Sequence, residues 1–182
     1  MLRLPVVAAL LALCLALPSE GCVSISGSSG VAQPYNCYVV DINQPGEYTI
    51  AARTLEALSI TRLHKDATLT FTALDNVWGA VTIRNAAGRV AFGRVASIAS
   101  VLVEDAASVD MGRVELCYGR IDLRGSLGRV VLGFLRAEVI AMTAATTQGV
   151  FFPKMTNIWQ YATFTATAGE QYVRFGRPNG GR

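Results

Sequence analysis

The side chains best able to do chemistry in this sequence are carboxylates and guanidinium groups that recur at a regular interval. Arg84, Glu104 and Arg124 are spaced 20 residues apart, and Asp122 precedes Arg124 by two positions. Polysaccharide-cleaving enzymes need clustered carboxylates, often beside an arginine or lysine, because one group donates a proton while another assists the attack. Stacked repeats would bring these residues together. They would also form an alternating charge ladder, in which each exposed pair contributes only about 0.2–1 kcal/mol.

Metal binding and nucleophilic catalysis find less support. His64 is the only histidine of the chain, and it lies in a charged stretch that runs from Arg62 to Asp66. A metal site or a catalytic triad needs further ligands or partners around the histidine. We therefore interpret His64 as a solvent-exposed turn residue, and we predict no catalytic residue, no metal site and no cofactor.

A second set of basic residues is a candidate for binding. Arg94, Arg113 and Lys154 occupy one equivalent position of a repeat, which Ala73 and Phe134 interrupt. With a net charge of +3, such a row could attract an acidic glycan or an anionic surface, or it could simply solvate a corner of the fold. Nucleic acid binding would require aromatic residues interleaved with the positive charges, and we predict no nucleic acid partner.

The elements that must position these residues are defined by a hydrophobic repeat. Five segments carry apolar residues at positions 1, 3 and 6, four of them also at position 9, and their first residues are 21, 19, 21 and 20 positions apart. A period of about 20 residues is typical of solenoids, in which each coil buries its apolar edge against the next coil. The five segments begin at Leu69, Val90, Val109, Val130 and Val150.

A shorter segment with strand-like alternation lies between these copies. It begins at Leu58, Val81, Val101, Ile121 and, less regularly, Val139. Small and turn-forming residues separate the two kinds of segment. A glycine or proline at position 4 favours a stacked corner and argues against helices. That position holds Gly93, Gly112, Gly133 and Pro153. The sequence thus predicts a mainly all-β protein, a parallel β-solenoid over residues 58–175.

The N-terminal region predicts export. Residues 1–21 have the pattern of a signal peptide, with Arg3 before an uncharged apolar run, so we expect a secreted or extracellular protein. We assign residues 22–57 to a linker and an N-terminal cap, with residues 31–50 as a capping hairpin or a first irregular coil and a helical turn at residues 54–58. Residues 176–182 are expected to form a disordered tail.

The cysteines allow two arrangements in an oxidising compartment. Cys117 occupies position 9, which Val77, Ile98 and Ile158 fill in sister copies, so we expect a buried thiol. Cys22 and Cys37 are then predicted to form a disulfide that staples the cap, a bridge worth roughly 3 kcal/mol. Alternatively Cys22 is lipidated and attaches the protein to a membrane, in which case Cys37 pairs with Cys117 or stays free.

The repeat resembles that of the receptor L domain superfamily, which includes ligand-binding domains of insulin-receptor-type kinases and fungal glycolipid-anchored cell-wall proteins. The resemblance covers about residues 58–164. It rests on the apolar-x-Phe-Pro-x-apolar segment and on the preceding apolar-x-apolar-x-Asn strand. The matching residues are Val150, Phe152, Pro153, Met155 and Ile158, together with Val81, Ile83 and Asn85. The resemblance implies a right-handed, leucine-rich-repeat-like solenoid at the cell surface, without catalytic residues.

These observations predict a non-catalytic module for recognition or structure outside the cell, with an extracellular protein or a glycan as partner. The alternative is a carbohydrate-active β-helix enzyme. The sequence leaves the oligomeric state open. The residues expected to contact a partner are Thr82, Arg84, Leu102, Glu104, Asp122 and Arg124, with Arg94, Arg113 and Lys154 as a second group.

Overall fold

The computed structural model describes residues 22–25, 31–32, 37–166 and 173–176. In this part of the chain every regular element is a β-strand, and no helix with the length and apolarity of a membrane span occurs. The predicted signal peptide, residues 1–21, and residues 177–182 of the predicted tail lie outside the described residues. The strands are β1 (Cys22–Ile25), β2 (Val31–Ala32), β3 (Cys37–Ile42), β4 (Gly46–Ile50), β5 (Thr54–Leu55), β6 (Ala57–Leu63), β7 (Ala67–Phe71), β8 (Asn76–Phe152), β9 (Asn157–Ala166) and β10 (Val173–Phe175).

All pairings between these strands are parallel, and they join residues about one period apart. Leu69 of β7 pairs with Val90 of β8, and Leu58 of β6 pairs with Val81, as the repeat predicts. The chain forms an all-β solenoid of about six turns with coils of about 21 residues. The predicted fold class is therefore confirmed.

Three strand segments of each coil stack on the coil before it. β6 pairs with the region around Val81, β7 with the region around Val90, and β5 with Asn76 and Val77. β8 spans several coils, because its residues pair with neighbouring coils almost without interruption. Single residues in the left-handed conformation turn the chain at one corner, and they are types that tolerate it. They are Asn85, Asp105 and Gly125.

The core consists of inward-facing columns in which equivalent residues of successive coils touch. Phe71 and Phe92 stack with ring centroids 4.5 Å apart. Cys117 is fully buried and free, as predicted, and burial raises the pKa of its thiol to about 11. The columns are continuous because the coil period keeps each apolar position above its counterpart.

A glycine column defines a second corner. It comprises Gly93, Gly112 and Gly133, at position 4 of the long segment. A Cβ added at Gly112 would fall on the carbonyl oxygen of Gly93, and one at Gly133 would fall on that of Gly112. The predicted stacked corner is confirmed, and at Gly112 and Gly133 its cause is steric, because a backbone carbonyl of the preceding coil fills the space of a side chain.

The N-terminal region agrees with one of the two predicted alternatives. β3 and β4 continue the parallel stacks of β6 and β7, so residues 37–50 form a first coil and the hairpin alternative is wrong. The predicted helical turn is also wrong, since β5 occupies that position. Parallel stacking already begins at β1, well before Leu58. β3 alternates buried and half-buried residues, and β4 does so from Tyr48 onwards, which favours addition to the stack.

The predicted disulfide is compatible with the register. The Cα atoms of Cys22 and Cys37 are partners in adjacent parallel strands, where neighbours lie about 4.8 Å apart, within the range that a disulfide spans. Cys37 is disulfide-bonded. The side chain of Cys22 lies outside the described part of the chain, so the pairing stays a prediction.

One coil is shorter than the repeat predicts. Phe134 is fully buried and Leu135 only half-buried, although the repeat assigns the inward position to Leu135. Ala137 pairs with Ile158 and takes the place expected one residue later. The deletion shifts the inward side by one residue, since facing alternates along a strand. Phe134 therefore belongs to the core and not to a row of exposed residues.

Candidate functional site

The first group of charged residues singled out by the sequence lies on one outer surface of the solenoid, together with Arg120. We call Arg84, Glu104, Arg120, Asp122 and Arg124 the charged face. The residues between them, Ile83, Val103 and Leu123, are fully buried in the core. Because side chains alternate along a strand, this burial directs the charged residues outward. Thr82 and Leu102 are half-buried on the same surface.

Half of the predicted charge ladder is present. Arg84 Nε lies 2.9 Å from Glu104 Oε2, which joins two adjacent coils. Both side chains are partly exposed, so the pair contributes less than about 1 kcal/mol. The main effect of this ion pair is to fix the position of each of its two charged groups relative to the adjacent coil.

Arg124 does not continue the ladder to Glu104. Its Nη2 contacts Oδ2 of Asp122 on its own strand, and Nε of Arg120 lies 3.3 Å from the same oxygen. The hydrogen bond and the charge of Asp122 raise the pKa of the Arg124 guanidinium above its ordinary value. Asp122 is only 8% exposed, so one nearly buried carboxylate is held between two arginines. Sequence reasoning missed Arg120, although its spacing of two from Asp122 places it on the same side of the strand.

This arrangement limits the chemistry of the charged face. Each of the two carboxylates has a guanidinium partner. These contacts hold each carboxylate against a guanidinium group of the protein, so the contacts themselves account for both acidic residues. Among the described residues, no group of three or more potential ligands could hold a metal ion.

The second predicted group is not a continuous row. Arg94 Nη2 lies 2.6 Å from Glu115 Oε1, and Arg113 Nη2 lies 3.8 Å from the same oxygen. Phe134, the residue between Arg113 and Lys154 in this series, is buried. Lys154 lies exposed in a turn after β8. Two of the three cations are thus paired.

His64 lies in the turn between β6 and β7, as predicted. Its Nδ1 accepts a hydrogen bond from the backbone N–H of Asp66, at 3.1 Å. The imidazole therefore stabilises a local turn, and the side chain is partly covered. This contact accounts for the histidine without a catalytic role.

A groove of about 660 Å³ follows the corner that contains the left-handed residues. Its walls include small side chains such as Ala87 and Ala107, and the polar groups Asp105 and Ser126. Asp105 Oδ1 accepts a hydrogen bond from the backbone N–H of Ser126, at 2.8 Å. The carboxylate thus has a structural partner in the next coil.

Sequence reasoning also missed a row of exposed aromatic residues. Trp78, Tyr118 and Trp159, which we call the aromatic row, are 66%, 57% and 48% exposed. All three stand at position 10 of the long segment, directly after the inward position 9. The alignment of the repeats already places these aromatic residues at one position. They occur only in alternate coils, however, and outside the apolar positions 1, 3, 6 and 9.

Comparison with known proteins adds no family. No protein-family model matches the chain, and no curated protein or solved structure matches it. The resemblance to the receptor L domain superfamily stays a prediction, and function must be argued from the site.

Proposed function

We propose that this protein is a secreted or cell-surface solenoid that recognises an extracellular protein or glycan and catalyses no reaction. The observation that carries the proposal is the pairing of both carboxylates of the charged face with arginines. Such pairs hold charged groups at defined places on a rigid stack, which suits recognition. Complementary charge of this kind contributes to specificity and to the rate of association.

The residues assigned to contact fall into two groups of different strength. Arg84, Glu104, Asp122 and Arg124 share one surface with Thr82 and Leu102, so a single partner can reach them together. The second group contributes mainly through Lys154, since Glu115 neutralises much of the charge of Arg94 and Arg113.

The experiment combines a glycan array and an extracellular protein array with an assay for new reducing ends or unsaturated sugars. We expect saturable binding without product formation. A double variant, Arg84→Ala with Arg124→Ala, should weaken binding of a partner that uses the charged face. Arg53→Ala changes one positive charge elsewhere on the surface and is the control. Secretion is tested by mass spectrometry of the protein in the medium, which should lack residues 1–21.

The alternative function is a carbohydrate-active β-helix enzyme. It is favoured by one observation, the presence of Glu104 and Asp122 on the same surface beside three arginines. Product formation that is lost in Asp122→Asn or Glu104→Gln, while both variants remain folded at the assay temperature, would replace the proposed function with this one.

A further inference from the structure

We propose that the aromatic row binds an extended, neutral, β-1,4-linked pyranose chain that runs along the solenoid axis. This inference deepens the proposed function, because it names a second surface and a ligand class. Trp78, Tyr118 and Trp159 would each stack on one sugar ring, and alternate sugars of the ligand would contact them.

The register places the three residues at equivalent points of successive coils. Leu55 pairs with Val77, next to Trp78, and Ala137 pairs with Ile158, next to Trp159, before a register shift after which Val139 pairs with Tyr161. A Cβ added at Gly119, next to Tyr118, would lie 2.9 Å from the carbonyl oxygen of Ala99 in the preceding coil. The residues that follow the inward position in the intervening coils are Ala99 and, in the shortened coil, Glu138. The aromatic residues therefore alternate with non-aromatic ones along the axis.

The spacing of the row matches a repeating ligand. Coils lie about 4.8 Å apart, so aromatic residues in alternate coils are about 10 Å apart along the axis. This distance is close to the length of a disaccharide unit in a β-1,4-linked chain. In such a chain each sugar is turned over relative to the previous one, so every second ring presents the same side. One straight chain can therefore stack on all three aromatic residues.

Folding does not explain the exposure of these rings. A tryptophan or tyrosine contributes most to stability when its ring is buried, and these three are about half or more exposed. The negative face of an aromatic ring attracts the C–H groups of a pyranose face, which carry partial positive charge. Aromatic side chains also lose little conformational entropy on binding, because they have only two side-chain torsions.

A polar groove lies beside Tyr118, the middle residue of the aromatic row. Its volume is about 390 Å³, and it is lined by residues of four successive coils, including Asn76, Ser97, Glu115, Tyr118 and Arg136. It therefore extends along the same axis as the aromatic row. Amide, hydroxyl and guanidinium groups there can exchange hydrogen bonds with the equatorial hydroxyls of a sugar chain.

The charges beside the row favour a neutral ligand. Glu115 is paired with Arg94, and Glu138 accepts a hydrogen bond from Gln160. An acidic glycan would have to compete with these contacts, whereas a neutral glycan leaves them intact. Stacking and hydrogen bonding are then the main sources of affinity.

The test uses an intrinsic probe. Trp78 and Trp159 are the two tryptophans of the chain, so tryptophan fluorescence reports on the proposed site directly. Titration with cello-oligosaccharides of two to six units should change the emission saturably. Because three rings on alternate sugars span five units, affinity should rise up to about five sugars and then level off.

Variants separate stacking from other effects. Tyr118→Ala should weaken binding of the six-unit ligand roughly tenfold, while Tyr118→Phe should retain most of the affinity, since the ring remains. Tyr161→Ala is the control for removal of an exposed aromatic ring, because Tyr161 is 50% exposed but does not stand at position 10; it pairs with Val139. Both tryptophans stay in place in all three variants.

Three outcomes overturn the proposal. One is the absence of any fluorescence change with cello-oligosaccharides and with insoluble cellulose or chitin. Another is equal loss of affinity in Tyr118→Ala and Tyr161→Ala. The third is a concentration-dependent emission shift without glycan, which would assign the row to self-association. If one of these outcomes occurs while binding through the charged face persists in Tyr118→Ala, the proposed function stands and only the glycan site at the aromatic row is excluded.

Discussion

The glycine column and the aromatic row are both recurrent columns of the same stack, but their neighbours differ. Behind each added side chain at Gly112 or Gly133 lies a backbone carbonyl of the preceding coil. Around Trp78 and Tyr118 lies mainly solvent. Packing alone explains why Gly112 and Gly133 recur in the glycine column. The fold does not require aromatic residues to recur in the aromatic row, and this is why we assign that row to binding.

The charged face is intermediate between these two columns. Its side chains are outward, yet Asp122 is nearly buried and holds two arginines. Part of its recurrence therefore stabilises the coils, and part remains available to a partner. The comparison implies that substitutions at buried positions should lower the stability of the fold most. Substitutions at exposed positions should weaken the binding of a partner most.

The largest effect is expected within the glycine column. Gly112→Ala places a Cβ on the carbonyl oxygen of Gly93 and should destabilise the fold by roughly 3 kcal/mol. At Gly93 an added Cβ would lie 3.5 Å from the nearest atom, an ordinary contact, so Gly93→Ala should be neutral or slightly stabilising. Urea unfolding of the two variants measures the difference. Equal destabilisation would contradict the steric account of the column.

The next effect concerns pH and the buried thiol. The pKa of Cys117 is about 11 in the fold, compared with an ordinary value of 9.0. Because the pKa of the Cys117 thiol is higher in the folded than in the unfolded protein, the protonated thiol stabilises the fold. This stabilisation is complete below pH 9 and is lost as the pH rises towards 11. The loss amounts to roughly 2 to 3 kcal/mol. Cys117→Val fills the position as Val77 does and should lose correspondingly less stability between pH 8 and pH 11 in urea unfolding. Parallel curves for both proteins would contradict the burial of the thiol.

Smaller effects are expected on the charged face. Asp122→Asn removes a nearly buried charge that two arginines share and should cost about 1–2 kcal/mol. Glu104→Gln removes one partly exposed pair and should cost about 0.2–1 kcal/mol. Melting temperatures at low and high salt measure both changes. If Glu104→Gln proves the more destabilising, the ladder between coils matters more than the cluster around Asp122.

The smallest effect on stability is expected in the aromatic row. Trp78→Ala should change the free energy of unfolding by less than about 0.5 kcal/mol, as surface substitutions usually do. The same variant should weaken glycan binding. A strong loss of stability would show that the row has a structural role and would remove the contrast with the glycine column.

The repeat could be read from the sequence because each coil imposes the same local requirements. Apolar residues at positions 1, 3, 6 and 9 correspond to buried columns, and position 4 corresponds to the glycine column. The N-terminal coil was harder to recognise, since its segments lack the full pattern. The shortened coil around Phe134 was missed because a single deleted residue reverses which side chains face inward.

The candidate site was predicted in part. The spacing of 20 residues indicated contact between Arg84 and Glu104, and the structure has that contact. It did not indicate that Arg124 prefers Asp122. Residues two apart on one strand and residues one coil apart are both near neighbours, and the sequence does not rank them. Side-chain geometry decides between them.

The sequence by itself determined the coil period, the inward columns and the corners, because these depend on hydrophobicity and on steric space that recur every turn. Only the tertiary structure decided which ions pair, where a coil is shortened and which aromatic rings stay exposed. These features depend on contacts between coils, and such contacts vary with single residues while the repeat remains the same.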